Sequence, residues 1–122
     1  TLDTKTLSIY SKNNLVFEGT KNDGCYITLL DGDGFSNNSD NKLHIADGMT
    51  VLDIHYDSNQ HKLLLSCASQ GVLVYNWDGS ASLNGIYESM RIYSSYAFTS
   101  KLFGDLLYVA TKNGLEVFNI GE

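Results

Sequence analysis

The chain has 122 residues, 43% apolar and 18% charged, which is material for one small packed domain and too hydrophobic for a disordered one. A formal net charge of −6 with only eight Lys and Arg, no two adjacent, excludes a nucleic-acid surface and argues against docking on anionic membranes. No run of eighteen apolar residues is present, so no membrane insertion is expected.

In chain order, short apolar segments alternate with polar turns. Residues 6–11, 15–19, 25–30 and 42–47 read as four strands. Residues 50–57, 62–68, 72–77 and 82–89 read as four more, and 96–103, 106–111 and 115–120 as a last three. Proline is absent, so Gly, Asn, Asp and Ser must make every turn. No segment shows a helical period.

Three hairpins say nearly the same thing: LVFEGTKNDGCYITLLD from 15, LLSCASQGVLVYNWD from 64 and LLYVATKNGLEVFNI from 106. Each has an apolar strand ending in Gly19, Ala68 or Ala110, a polar turn closing on Gly24, Gly71 or Gly114, and a second apolar strand. The closing glycines recur 47 and then 43 residues later. Such a period marks an array of β-propeller blades. Three positions beyond each glycine stand Ile27, Val74 and Val117, and six beyond stand Leu30, Trp77 and Ile120. A common offset implies a common burial role. The run Val72-Leu73-Val74-Tyr75 is too apolar for a strand with one wet face, as expected of a blade packed on both sides. Trp77 is therefore expected in the core.

The predicted fold class is all-β, a β-propeller fragment of about three four-stranded antiparallel blades. The chain 1–122 is one partial propeller, with blade one about 4–47, blade two about 50–89 and blade three about 92–120, which lacks its outer strand. Three blades close no ring. The start at Thr1 reads as a fragment or a processed product. The remaining blades are expected from the same or another chain, or from self-association completing a ring.

Residues 51–79, VLDIHYDSNQHKLLLSCASQGVLVYNWDG, resemble a WD repeat, with Ser66-Cys67-Ala68 before the glycine turn and a closing Trp77-Asp78. The Gly-His pair of that family is missing, as Asp47-Gly48 and Ser94-Ser95 stand in its places, and Asn59-Gln60 replaces the aspartate that orients its histidine. Residues 105–120, DLLYVATKNGLEVFNI, also resemble bacterial surface propellers. The resemblance implies a protein-binding scaffold.

Chemistry is sparse. Asp31, Asp33 and Asp40 are the weak metal candidates, in an oxygen-rich loop where calcium would need further ligands at Phe35 and Lys42. His44, His55 and His61 are scattered, with no spacing that makes them converge on zinc. No G-x-S-x-G elbow or phosphate-cradling loop is present, so no catalytic residue and no cofactor is expected. Cys25 and Cys67 read as two buried reduced thiols, which leans towards an intracellular compartment, with a cell surface as the alternative.

The expected function is a non-catalytic protein–protein interaction scaffold using propeller loop faces, part of a larger ring or assembly. Its partner-binding candidates are the turn and loop residues Lys21, Asn22, Asp23, Asp47, Met49, Gln70, Tyr93, Lys112 and Asn113, with Met49 and Tyr93 the better anchors if exposed. One alternative is a propeller enzyme with a central-channel active site, for which Asp53 and His55 are the only suppliers and at most one is expected to reach the channel. The other is an extracellular module with a calcium-binding loop.

Overall fold

The computed structural model describes residues 5–31, 34–35 and 41–121. Over these residues the chain is all-β, in three antiparallel sheets laid down in chain order. The first contains β1 (Thr6–Lys12), β2 (Leu15–Thr20), β3 (Cys25–Asp31) and β5 (Lys42–Ile45), with the short β4 (Gly34–Phe35) paired to the far end of β3. The second runs β6 (Asp53–Asp57), β7 (Lys62–Ser66), β8 (Val72–Asn76) and β9 (Tyr87–Ile92). The third has β10 (Ala97–Phe103), β11 (Leu106–Thr111) and β12 (Gly114–Asn119). The outer strand of the second sheet lies later than residues 82–89, because Leu83–Gly85 forms a 3-10 turn that delays it to Tyr87.

The three hairpins share their corners. Gly24, Gly71 and Gly114 all have positive φ, at 76°, 86° and 105°. Only glycine enters that region without a Cβ penalty. The N–H of Thr20 donates to Gly24 O at 2.9 Å and that of Cys67 to Gly71 O at 2.7 Å. The hydroxyls of Thr20 and Thr111 also donate to the carbonyls of Gly24 and Gly114. At the opposite ends the N–H groups of Leu30, Trp77 and Ile120 donate to the carbonyls of Asn14, His61 and Asp105. The β1–β2 turn needs two left-handed residues, and Asn13 and Asn14 supply them at φ 52° and 67°.

The sheets stack face to face, which explains the middle sheet's continuous apolar run. Leu63, Leu65, Leu73 and Tyr75 point to the first sheet, against Leu15, Phe17, Cys25 and Ile27. Leu64, Val72 and Val74 point the other way, against Ala97, Leu102, Leu107 and Val109 of the third. Trp77 is in the core as expected, with ring centroids 5.1 Å from Phe17 and 4.6 Å from Tyr56. Its indole N–H donates to Ser80 O at 3.0 Å. The first strands adjoin, since β6 lies against both β1 and β10. The Ser8 hydroxyl donates to Val51 O at 3.1 Å, and the Thr99 hydroxyl to Asp53 Oδ2 at 2.7 Å.

Candidate interaction rim

Antiparallel order sends three turns and two links to one edge of the stack. The turns are β2–β3, β7–β8 and β11–β12, and the links join β5 to β6 and β9 to β10. Hydrogen bonds tie the first link, and in the second sheet the outer strand β9, to the neighbouring turn. In the first sheet the Thr50 hydroxyl donates to Lys21 O at 2.5 Å and the Gly24 N–H to Met49 O at 2.8 Å. In the second, Arg91 Nε donates to Gln70 O at 3.0 Å, and its guanidinium also bonds the Gln70 side-chain oxygen. Ala68 and Ala97 exchange backbone bonds at 2.9 and 3.0 Å, joining the second turn to the third sheet.

This rim carries all nine residues singled out as partner-binding candidates. Lys21, Asn22 and Asp23 form the first turn with Asp47 and Met49 beside it. Gln70 sits in the second turn near Tyr93, and Lys112 and Asn113 form the third. Tyr93 is 71% exposed, with the Arg91 guanidinium 4.8 Å from its ring centroid. Lys112 Nζ lies 4.6 Å from the Tyr96 ring, which is tilted against Phe98 at 5.2 Å. Cations over aromatic faces hold the rings in place while leaving their edges to solvent. Met49 is different: it is half-buried against the core of the first two sheets, so it is not an exposed anchor.

One cluster escaped the sequence. His44 on β5 pairs with Tyr26 on β3, and their rings stack at 4.2 Å and 5°. His44 Nε2 lies 3.8 Å from Asp23 Oδ1 and 3.6 Å from Asp47 Oδ1. These are the residues that come closest to a metal-ligand set among those described. His44 Nε2 is also 2.5 Å from the carbonyl oxygen of Asp23. A carbonyl only accepts, so that nitrogen carries its proton and presents no lone pair to an ion. The Tyr26 hydroxyl donates to Asp23 Oδ2, and this bond, aided by desolvation, pushes the phenol up to about 12. The cluster therefore fixes the first turn against the first link.

Asp53 and His55 stand two apart on β6 and share a face, against the expectation that only one would reach a channel. The Asp53 carboxylate is engaged by Thr99. His55 pairs with Leu64 and His61 Nδ1 is 3.2 Å from the Tyr56 hydroxyl, so the three histidines do not converge. At the opposite edge a cleft of about 320 Å³ is lined by Gln60, His61, Asn76, Trp77, Asp78, Gly85 and Tyr87. There the Ser80 N–H holds the Asp78 carboxyl below its ordinary range. The proposed calcium loop, Asp31 to Asp40, falls outside the described side chains. No helix among the described residues is long and apolar enough to cross a membrane.

No family model matches the chain, and no curated protein matches it significantly. A solved structure does: PorZ, described as an essential bacterial surface component of the type-IX secretion system of Porphyromonas gingivalis. The likeness has a TM-score of 0.62 at 16% identity and covers 93% of this chain. The chain spans 17% of that protein. At this identity the likeness establishes the fold, and this chain is similar in fold to one portion of a surface secretion component.

Proposed function

We propose that the chain is a non-catalytic protein-interaction module, built from β-propeller blades, that docks another protein on its rim of turns. The observation carrying this reading is the gathering of Lys21, Asp23, Gln70, Tyr93 and Lys112 on one edge, with Tyr93 the most exposed aromatic there. Exposed rigid aromatics flanked by cations are the side chains that anchor protein interfaces. The fold likeness to a secretion-system component supports a role within an assembly at a bacterial surface. That likeness and the missing Gly-His pair favour the surface-type propeller over the WD type.

Site-specific photocrosslinking in the protein's own cells tests this. A benzophenone residue placed at Tyr93 or Lys112 captures a partner, and one placed at Asn59, on the opposite edge, does not. Capture only from Asn59, or from neither edge, would overturn the reading.

A further inference from the structure

The cleft at the edge away from the rim exists because the chain turns before it rejoins the second sheet. Leu83–Gly85 forms a 3-10 turn, so β9 starts only at Tyr87, where it pairs with Asn76. The space left beside Trp77 and Asp78 is about 320 Å³. Binding pockets run from about 300 to about 1,000 Å³, so this one takes a single small ring. Gly85 forms one wall, and the nearest atom to a Cβ built there is Asp78 Oδ1 at 3.7 Å. Tyr87 forms another wall and is 61% exposed.

Hydrogen bonds inside the protein fix which polar atoms are left over. Gln60 Nε2 donates to Gly104 O at 2.5 Å, which leaves Gln60 Oε1 to accept. The Lys62 ammonium donates to Asn76 Oδ1, which leaves the Asn76 Nδ2 hydrogens to donate. The Tyr56 hydroxyl gives its hydrogen to Trp77 O at 2.8 Å. Its 3.2 Å bond with His61 Nδ1 must then run from the imidazole. So Nδ1 carries the proton, and Nε2 of the neutral ring presents a lone pair. Asp78, whose Oδ1 takes the Ser80 N–H at 3.0 Å, adds carboxylate acceptors.

The cleft therefore sets acceptors from Gln60, His61 and Asp78 and a donor from Asn76 around an open aromatic ring. An apolar ligand would leave these groups without partners. The Asp78 carboxylate disfavours an anion, and the Asn76 N–H groups with the Lys62 ammonium behind them disfavour a cation. A sugar hydroxyl both donates and accepts, and the C–H face of a pyranose packs on an aromatic ring. We propose that this cleft binds one pyranose ring, stacked on Tyr87 and hydrogen-bonded through Gln60, His61, Asn76 and Asp78. The site is independent of the protein-docking rim, which lies at the other edge.

Saturation-transfer difference NMR on the protein as its cells make it tests this. The probes are free glucose, galactose, mannose and N-acetylglucosamine and their methyl glycosides. At least one should show saturable contact through its ring C–H groups. Binding of a free sugar but not its methyl glycoside supports a site for free monosaccharide, and equal binding of both supports a site for the end of a sugar chain. Tyr87→Ala should weaken the binding about tenfold. Gly85→Leu, at a position without positive φ, should fill the cleft and abolish it. Both variants should keep the near-ultraviolet signal of Trp77, and Tyr93→Ala on the rim should bind as before. No binding by any of these probes, binding that survives in a folded Gly85→Leu or is unchanged in Tyr87→Ala, loss in Tyr93→Ala, or displacement of the sugar by choline would each overturn the proposal.

Discussion

The hydroxyls of Ser66 and Ser100 meet 2.9 Å apart, both buried, in the seam between the second and third sheets. Each satisfies the other where water does not reach. Ser66→Ala or Ser100→Ala alone should cost about 1–3 kcal/mol, because one hydroxyl is left unpaired. The double variant should cost clearly less than the sum. Urea unfolding of the three variants measures this, and additive losses would show that the two sheets do not meet as described.

The corner glycines are not equally replaceable. A Cβ at Gly24 would sit 2.3 Å from the Ala46 carbonyl oxygen, and one at Gly71 2.2 Å from that of Ile92. At Gly114 nothing lies within 4 Å. Gly114→Ala should therefore cost about 1–2 kcal/mol from its left-handed backbone alone. Gly24→Ala and Gly71→Ala should lose more than about 3 kcal/mol or fail to fold. Thermal melts rank the three, and an equal ranking would contradict the close approach of outer strand to corner.

Cys25 and Cys67 are both free and buried, and burial pushes each thiol up to about 12. Neither should react with a maleimide at pH 8 until the chain unfolds. Burial also raises Tyr75 to about 12, and the Asp23 bond does so for Tyr26. A folded-state pKa above the unfolded one means that the folded chain holds protons which the unfolded chain releases. This stability is complete below about pH 9 and is lost as pH rises from 9 to 12. Melting temperatures across that range should fall, and a flat profile would contradict the burial.

Much of this was legible because glycine marks the corners. Gly24, Gly71 and Gly114 stand out in sequence for the reason they stand out in structure, a left-handed backbone at a tight corner. The double burial of Leu63–Leu65 and Val72–Tyr75 was legible from their unbroken apolarity. The outer strand of the second sheet was misplaced because Leu83 and Ile86 look strand-like, while Asn84-Gly85 turns the chain between them. His44 joining Asp23 and Asp47 could not be read, because it depends on the Tyr26–His44 register set across a long connection. The exposure of Met49 was not legible, because a flexible apolar side chain in a loop reads alike whether it faces solvent or folds back on the core.

The stacking order is tested most directly by truncating one repeat position in two sheets of the 122-residue chain. Val74 is wholly buried and Val117 is half-exposed, although both stand three residues past a corner glycine. Val74→Ala should cost roughly 2 kcal/mol in denaturant unfolding, and Val117→Ala less than about 0.5 kcal/mol. Equal losses at the two positions would mean that the sheets are not stacked in chain order with the third left open.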